Sequence, residues 1–166
     1  MNIETPNRTH LPQTGVTVSR ADYDDGFYQA GNPRATRFVD NGNGTITDRA
    51  TGLQWVQDPA DCGEAFYTGG ALVSMNWADA LAACLALDYA GFTDWRLPNV
   101  VELLSLANWG SQSWFFGAGT DAWSSTTRYW NTTYAWRVNP AGTPACTWPK
   151  STLYYVRPVR GGRING

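Results

Sequence analysis

The final third of the 166-residue chain limits its fold most, because it is rich in large rings and poor in aliphatic side chains. Trp and Tyr offer large, rigid contact areas with one polar atom, and Ser, Thr and Asn offer adaptable hydrogen bonds. This composition favours a recognition surface, although we expect roughly half of the rings to form the core of a small β-rich domain. The Trp and Tyr residues that follow Trp109 are Trp114, Trp123, Tyr129, Trp130, Tyr134, Trp136, Trp148, Tyr154 and Tyr155.

Size and charge exclude several classes of protein. A chain of this length suits one domain and hides about 70% of its unfolded surface, so its core needs no metal or disulfide. The net charge is −2 and charged residues make up 16% of the chain, so no basic field attracts nucleic acid or an anionic membrane. No apolar run is long enough for a membrane helix, and residues 1–6 lack the features of a secretory signal. We expect neither nucleic-acid binding nor membrane insertion.

The residues that most often bind metals are poorly spaced for it. The three cysteines, Cys62, Cys84 and Cys146, lack metal-ligand spacing. They allow at most one disulfide within the chain, and the sequence does not decide whether Cys62 and Cys84 form it. Residues 22–26 are rich in carboxylates, but their spacing fails the EF-hand loop. We therefore expect no metal site and no cofactor.

The composition divides the chain into an N-terminal arm, residues 1–36, and a domain, residues 37–166. The arm is rich in Pro, Gly, Asn, Thr and Asp and shows little periodicity. A few apolar residues favour an arm that packs on the domain, or leads into it, over a free tail. These residues are Leu11, Val16, Val18, Phe27 and Tyr28.

The start of the domain has the pattern of a β-hairpin. Residues 37–40 and 45–48 are predicted strands, and the Asn-Gly-Asn-Gly turn between them tolerates positive φ. A third strand is predicted over residues 53–56. Later short strands are predicted over residues 134–138 and 153–157.

Two helices are predicted after the hairpin. The first follows Asn76 as its N-cap and extends over residues 77–87, because apolar residues recur there at helical spacing. The second begins near Asn99, whose side chain can cap the helix while Glu102 lies three residues on. The predicted buried residues are Trp77, Ala80, Leu81, Cys84 and Leu85 in the first helix, and Leu103, Leu104 and Leu106 in the second.

Several motifs follow one another in a specific order along the chain. The most specific are Asp-Trp-Arg-Leu-Pro-Asn at residues 94–99 and Trp-Ser-Ser-Thr at residues 123–126. The others are residues 38–48, 51–55, 91–93, 102–103 and 156–162, with residues 11–15 and 24–31 of the arm. Over residues 11–162 this series resembles the Lcl C-terminal-type domain, a family of the C-type lectin-like superfamily.

The resemblance implies an α+β domain of C-type lectin-like fold. Such a domain has two helices, a small mixed or antiparallel sheet, and long irregular loops that display a binding surface. Family members bind ligands or adhere to surfaces. Some are variable proteins of diversity-generating retroelements, in which the C-terminal part is mutated to change the ligand.

Retroelement mutation can be compared with the residue types of this chain. It acts at template adenines, typically in Asn codons, and such codons cannot become Trp or Lys codons. Trp123, Trp130, Trp136, Trp148 and Lys150 are then expected to be constant, whereas Thr127 is permitted to vary. The predicted ligand-binding surface comprises permitted positions with Trp130 and Trp148 as constant anchors: Asp121, Arg128, Tyr129, Trp130, Asn131, Thr132, Asn139, Thr143, Cys146, Thr147 and Trp148.

Three arginines lie in motifs whose other residues are of buried type. We expect Arg96, Arg157 and Arg160 to be structural, and to hold loop carbonyls or pair with Asp94 or Glu102. The alternative role is anion binding. The scaffold that carries the loops is expected to consist of Trp95, Leu97, Leu103, Leu104 and Val156.

Enzymatic activity is not expected. His10 is the only histidine and lies in the arm, so a Ser-His-Asp or Cys-His site cannot be assembled in the domain. The sequence leaves open a glycosidase with a pair of carboxylates, but nothing in it places two carboxylates together. Calcium-dependent sugar binding is not expected either. Sugar-binding C-type lectins use Gln-Pro-Asp and Trp-Asn-Asp, whereas this chain has Gln-Asp-Pro at residues 57–59 and Trp-Asn-Thr at residues 130–132.

The sequence therefore predicts a ligand-binding protein that displays a retroelement-diversified surface on a C-type lectin-like scaffold. Its expected role is receptor recognition or adhesion, and its partner is a protein or a glycan on a cell or particle surface. The alternative is an undiversified adhesin or glycan-binding domain of the same fold that needs no calcium. A cell surface or a virion surface suits either function, and the sequence does not decide the oligomeric state.

Overall fold

The computed structural model describes residues 11–14, 16–31, 33–107, 120–140 and 143–161. This part of the chain has an α+β fold of short helices and antiparallel sheets, as predicted. The helices are α1 (Asp25–Tyr28), α2 (Arg34–Arg37), α3 (Trp77–Leu85) and α4 (Val100–Ser105), with a 3-10 turn at Pro59–Cys62. The strands are β1 (Phe38–Asp40), β2 (Thr45–Asp48), β3 (Leu53–Val56), β4 (Tyr67–Thr68), β5 (Ala71–Leu72), β6 (Ala122–Thr127), β7 (Tyr134–Asn139), β8 (Thr143–Pro149) and β9 (Val159–Gly161).

The predicted hairpin forms one side of a four-stranded sheet with the order β1-β2-β3-β9. Its turn uses Gly42 at φ 73° and Gly44 at φ 80°, which glycine adopts at no steric cost. The backbone N–H of Asn41 donates to the carbonyl of Thr45 over 3.0 Å and closes the turn. The first three predicted strands are confirmed.

One predicted strand is misplaced. Residues 153–157 form no ladder: Tyr154 pairs with Met75 and Tyr155 with Ala122, each as an isolated bridge. The regular strand begins later, at Val159, and pairs with β3. Extended backbone was predicted correctly from β-propensity. However, consecutive residues here meet two different elements, and a ladder needs one continuous partner. The other late strand is confirmed as β7.

Helix α3 begins as predicted and ends earlier than predicted. The Asn76 side chain accepts a hydrogen bond from the backbone N–H of Asp79 over 3.0 Å, so the N-cap is confirmed. The helix ends at Leu85 rather than at residue 87. Leu85 is 72% exposed, contrary to prediction, because the buried stripe follows Ala80 and Cys84 and Leu85 lies about 100° farther round the helix.

Helix α4 has the predicted capping box. Asn99 Oδ1 accepts from the backbone N–H of Glu102 over 2.9 Å, and Glu102 Oε2 accepts from the N–H of Asn99 over 2.8 Å. Leu103 and Leu106 are fully buried, and Leu104 is half-buried. The predicted buried side of this helix is confirmed.

The core lies on both faces of the third sheet, which has the order β6-β7-β8. Successive residues of a strand face opposite sides of a sheet, so Ala122 and Trp123 join different apolar clusters. Helix α4, with the residue after it, and the four-stranded sheet cover the face of Ala122 and Val138 with Ile46, Leu53, Trp55, Leu103, Leu106 and Val159. The other face packs against Met75, Cys84, Trp95, Leu97 and Val156.

The described part of the arm is folded largely on itself. Asp24 caps α1 by accepting a hydrogen bond from the N–H of Phe27 over 2.8 Å. The rings of Tyr23, Phe27 and Tyr28 pack on one another with centroids 5.2–6.2 Å apart. Most of the predicted anchors are largely exposed. Leu11, Val18, Phe27 and Tyr28 are exposed, and Val16 is half-buried.

Candidate recognition surface

The loop between β6 and β7, residues 128–133, is the most exposed part of the predicted site, and we call it the tip. Its backbone is fixed at both ends. The N–H of Arg128 donates to the carbonyl of Tyr134 over 2.9 Å, and the N–H of Lys150 donates to the carbonyl of Thr133 over 2.9 Å. Within the tip, Asn131 Oδ1 accepts from the Thr133 hydroxyl over 2.7 Å, as an Asn side chain commonly does in a turn. The tip is therefore an ordered turn.

The tip presents two large rings to solvent. The side chain of Tyr129 is 93% exposed and that of Trp130 is 68% exposed. Asn131 and Thr132 beside them are also exposed. Single exposed rings need no explanation, but adjacent rings on an ordered turn form a surface of the kind that dominates binding energy in protein interfaces.

Arg128 lies against these rings. Its guanidinium carbon is 4.7 Å from the centroid of the Trp130 ring and 5.5 Å from that of Tyr134. Such cation–π contacts orient the guanidinium plane. Sequence reasoning did not place Tyr134 in the site. A sequence signal was present. In a hairpin the residue that opens the loop, here Arg128, lies opposite the first residue of the next strand, Tyr134.

Three predicted residues lie at the opposite end of the sheet. Asn139 pairs with Thr143 at the far end of β7, about 17 Å along the strand from Tyr134. The side chain of Thr143 lies outside the described residues. Asp121 precedes β6 at the same far end, and its carboxylate forms an ion pair with Arg137.

Strand β8 divides the remaining predicted residues between two faces. Cys146 lies opposite Arg137 in the ladder and Thr147 lies opposite Trp136, so their side chains alternate. Trp148, 43% exposed, shares the face of Cys146 and lies 6.4 Å from Tyr154 between ring centroids. The structure does not bring all the predicted ligand-binding residues together. The tip groups Arg128, Tyr129, Trp130, Asn131 and Thr132, and it leaves out Asp121, Asn139, Thr143, Cys146, Thr147 and Trp148.

A buried frame carries the tip. Trp123 is fully buried in β6, and its Nε1 donates to the carbonyl of Met75 over 3.0 Å. The hydroxyl of Ser124 donates to the carbonyl of Trp136 over 2.8 Å and ties β6 to β7. The predicted scaffold residues Trp95, Leu97, Leu103 and Val156 are all buried.

Lys150 joins the base of the tip to α3. Its Nζ donates to the Thr127 hydroxyl over 2.9 Å and lies 3.7 Å from the centroid of the Trp77 ring. Trp77 Nε1 in turn donates to the carbonyl of Ser124 over 2.8 Å. None of these contacts involves Tyr129 or Trp130.

This frame and tip fall inside one family match. A model of the Lcl C-terminal domain family matches residues 44–160, more than half of the chain. The chain belongs to the Lcl C-terminal domain family. The match begins in the turn of the first hairpin and ends in β9, so it includes β2, β3, the sheet β6-β7-β8 and the tip. None of the curated proteins searched matches the chain.

Two arginines of the Lcl C-terminal domain are structural, as predicted. Arg96 donates to both oxygens of Glu102 over 2.8 and 2.7 Å, and these bonds raise the pKa of Arg96. Arg160 donates from Nε to Asp94 over 2.6 Å and stacks 3.6 Å from the ring centroid of Phe92. Both predicted carboxylate partners are confirmed. The Arg96–Glu102 pair joins the 94–99 motif to α4, and the Arg160–Asp94 pair joins it to the last strand.

Two further arginines complete this frame. Arg157 is buried, which lowers its pKa to about 10, and it donates to the Thr120 hydroxyl over 3.2 Å. Arg37 forms a fully buried fork with Asp48, at 2.7 and 2.6 Å, and donates to the Ser105 carbonyl over 2.7 Å. Sequence reasoning missed the Arg37–Asp48 ion pair. The hairpin register hints at it, because Phe38, the residue after Arg37, lies opposite Asp48.

The carboxylates and cysteines that were considered as metal ligands are not grouped around a common site. Among the described residues, no group of three His, Cys, Asp or Glu side chains is placed to bind a metal ion. Asp24 accepts bonds from the backbone N–H groups of Arg20 and Phe27, and these bonds lower its pKa. Cys62, Cys84 and Cys146 are free thiols. Burial raises the pKa of Cys62 and of Cys84 to about 12.

Across the described ranges, no helix is long and apolar enough to span a membrane.

Proposed function

We propose that this Lcl C-terminal domain protein binds a ligand on a cell or particle surface through its tip. One observation carries the proposal: Tyr129 and Trp130 are exposed side by side on a turn whose backbone is held by other residues. Rigid rings lose little conformational entropy on binding and dominate the energy of many interfaces. The proposal includes no catalytic step, because the only histidine of the sequence lies in the arm.

A C-type lectin-like scaffold with retroelement diversification is the finer form of this proposal. Such a scaffold must fold independently of the residues that vary. Trp123 has a residue type that retroelement mutation does not produce, and it is fully buried. Tyr129, Asn131 and Thr132 have permitted types and are exposed. Trp130 would then be a constant anchor among variable neighbours.

The encoding DNA tests diversification directly. A nearby imperfect copy of the last part of the gene, together with a reverse transcriptase gene, is expected. The copy should differ opposite adenines at the codons of Tyr129, Asn131 and Thr132, and should agree at the codons of Trp123 and Trp130. A locus with neither the copy nor the reverse transcriptase would exclude diversification.

Binding through the tip is tested with the full chain and matched variants. We expect a phage-displayed random peptide library, or a glycan array, to yield ligands of the wild-type protein. Tyr129→Ala and Trp130→Ala should each weaken their binding at least about 10-fold, since central interface rings are worth 2 kcal/mol or more. Tyr28→Ala removes an exposed tyrosine from the arm, outside the tip, and should leave binding unchanged. Ligands that bind Tyr129→Ala and Trp130→Ala as tightly as they bind the wild type would refute the proposal.

Calcium-independent glycan binding is the second candidate function, and the ring exposure supports it. Trp130 and Trp148 are both exposed, and exposed tryptophans can stack on sugar rings. Binding of one polysaccharide class on the array, unchanged by a calcium chelator and lost in Trp130→Ala, would favour this candidate over a protein ligand.

A further inference from the structure

We propose that Arg128 recognises a carboxylate on a protein ligand, an inference that rests on the recognition function proposed above. The ligand segment would present one Asp or Glu side chain beside apolar side chains. Arg128 would bind the carboxylate, while Tyr129 and Trp130 would cover the apolar groups.

The guanidinium of Arg128 is oriented before any ligand arrives. The rings of Trp130 and Tyr134 hold it at 4.7 and 5.5 Å, and its Nε is buried without a hydrogen bond from the described residues. Its backbone is fixed by the bond to Tyr134. A planar fork of N–H donors matches a carboxylate, and a group already held in place loses less entropy on binding.

Arg128 differs from the four ion-paired arginines of the described residues, because it has no carboxylate partner. In the described part of the chain, the ion pairs join four other arginines to Asp or Glu, and Arg128 belongs to none of these pairs. The four paired residues are Arg37, Arg96, Arg137 and Arg160. Arg128 therefore keeps its charge available to a ligand.

The stretch of chain that surrounds Arg128 in the sequence has no acidic residue that would compete for its charge. The sequence from Ala122 to Val156 contains no Asp or Glu, although the whole chain has a net charge of −2. The basic residues of this stretch are Arg128, Arg137 and Lys150, and Arg137 is paired with Asp121. Complementary charge at an interface selects the partner and speeds association.

The same surroundings favour a single carboxylate over a polyanion. Polyanion binding draws on many cations at once, as the salt dependence of nucleic-acid binding shows. Here the second cation, Lys150, is directed to the Thr127 hydroxyl and the Trp77 ring. One available guanidinium next to two exposed rings fits a peptide with one acid and neighbouring apolar residues.

The test uses the full chain and peptides selected from the displayed random library. Selected peptides should be enriched in Asp or Glu beside apolar residues. Each is synthesised with its acid and with the matching amide, Asn or Gln, and the Kd is measured with wild type, Arg128→Gln, Arg128→Lys and Arg49→Gln. Arg49 is an exposed arginine in the turn before β3 and controls for the loss of one charge.

We expect the amide peptide to bind wild type at least about 10-fold more weakly than the acid peptide. Arg128→Gln should bind the two peptides equally, and Arg128→Lys should recover part of the preference, because a lysine keeps the charge without the fork. Arg49→Gln should retain the full preference. The acid-to-amide comparison on wild type needs no variant to fold.

Other outcomes separate this inference from the proposed function. Peptides that require Tyr129 and Trp130 but bind Arg128→Gln as tightly as wild type would overturn the carboxylate inference alone. Peptides that bind irrespective of all three residues would overturn the proposed function as well. A sulfated or uronic polysaccharide that binds at the tip with a steep salt dependence would replace the protein ligand with a glycan.

Discussion

The frame should keep its stability when the exposed ring of the tip is removed and lose it when the buried ring is removed. Trp130→Ala and Trp123→Ala delete the same side chain from places near each other in the chain. Trp130 is 68% exposed, whereas Trp123 is fully buried and contacts Tyr154 edge-to-face at 4.9 Å. If the tip is carried by an independent frame, the two substitutions must differ widely in their effect on the free energy of unfolding.

The expected magnitudes follow from burial and hydrogen bonding. Truncation of a buried Trp costs about 3–5 kcal/mol. The lost bond from Trp123 to the Met75 carbonyl adds about 0.5–1 kcal/mol, because the backbone N–H of Tyr154 still donates to that carbonyl over 3.0 Å. Trp123→Ala should therefore cost about 3.5–6 kcal/mol. Trp130→Ala should cost less than about 1 kcal/mol, the value of an exposed cation–π contact with Arg128.

Urea unfolding followed by far-UV circular dichroism measures both costs. With a slope of about 2 kcal/mol per molar urea, Trp123→Ala should lower the midpoint by about 2–3 M, and Trp130→Ala by less than about 0.5 M. Tyr28→Ala in the arm serves as a third exposed-ring control. Equal losses for the two tryptophans would refute the idea of a frame that folds independently of its tip.

Three further predictions concern the N-cap of α4, the loss of stability at low pH and the reactivity of the thiols. Asn99→Ala removes the N-cap of α4 and should lower the free energy of unfolding by about 1 kcal/mol in urea; an unchanged midpoint would contradict the cap. The bond from Arg160 holds the pKa of Asp94 below its usual range, so this carboxylate stabilises the fold above about pH 4 and the contribution is lost as the pH falls further. Acid titration of Asp94→Asn should then show a shallower loss of stability, and parallel curves would contradict the pair. Burial raises the pKa of Cys62 and Cys84 to about 12, so both should resist a disulfide reagent at pH 8 until denaturant is added; complete labelling of the native protein within minutes would contradict their burial.

Local signals predicted the elements that depend on neighbouring residues. The caps at Asn76 and Asn99 were predictable because cap chemistry involves side chains and N–H groups two or three residues apart. The first hairpin was predictable because its turn requires positive φ at residues where the chain has glycine. The position of the last strand was not, because it depends on β3, a distant element, as its pairing partner.

The candidate site was predictable in kind and less so in arrangement. Residue types singled out the tip, from Arg128 to Thr132, as a recognition surface, and the structure places these residues together. Residue types could not show that Thr147 faces away from Trp148, since that depends on the strand register. They also could not show that Asn139 lies at the far end of the hairpin.

The sequence by itself determined the α+β class, the caps, the first hairpin and the family, and it named Asp94 and Glu102 as candidate partners of the buried-type arginines. Only the tertiary structure decided which rings are core and which are surface. Trp123 and Trp130 have the same chemistry and similar neighbours in the chain. One is buried because the carbonyl of Met75 and the ring of Tyr154 reach it from distant segments, and the other lies in a turn that no described segment covers. Burial is a property of such long-range contacts, and a local pattern of residues does not contain them.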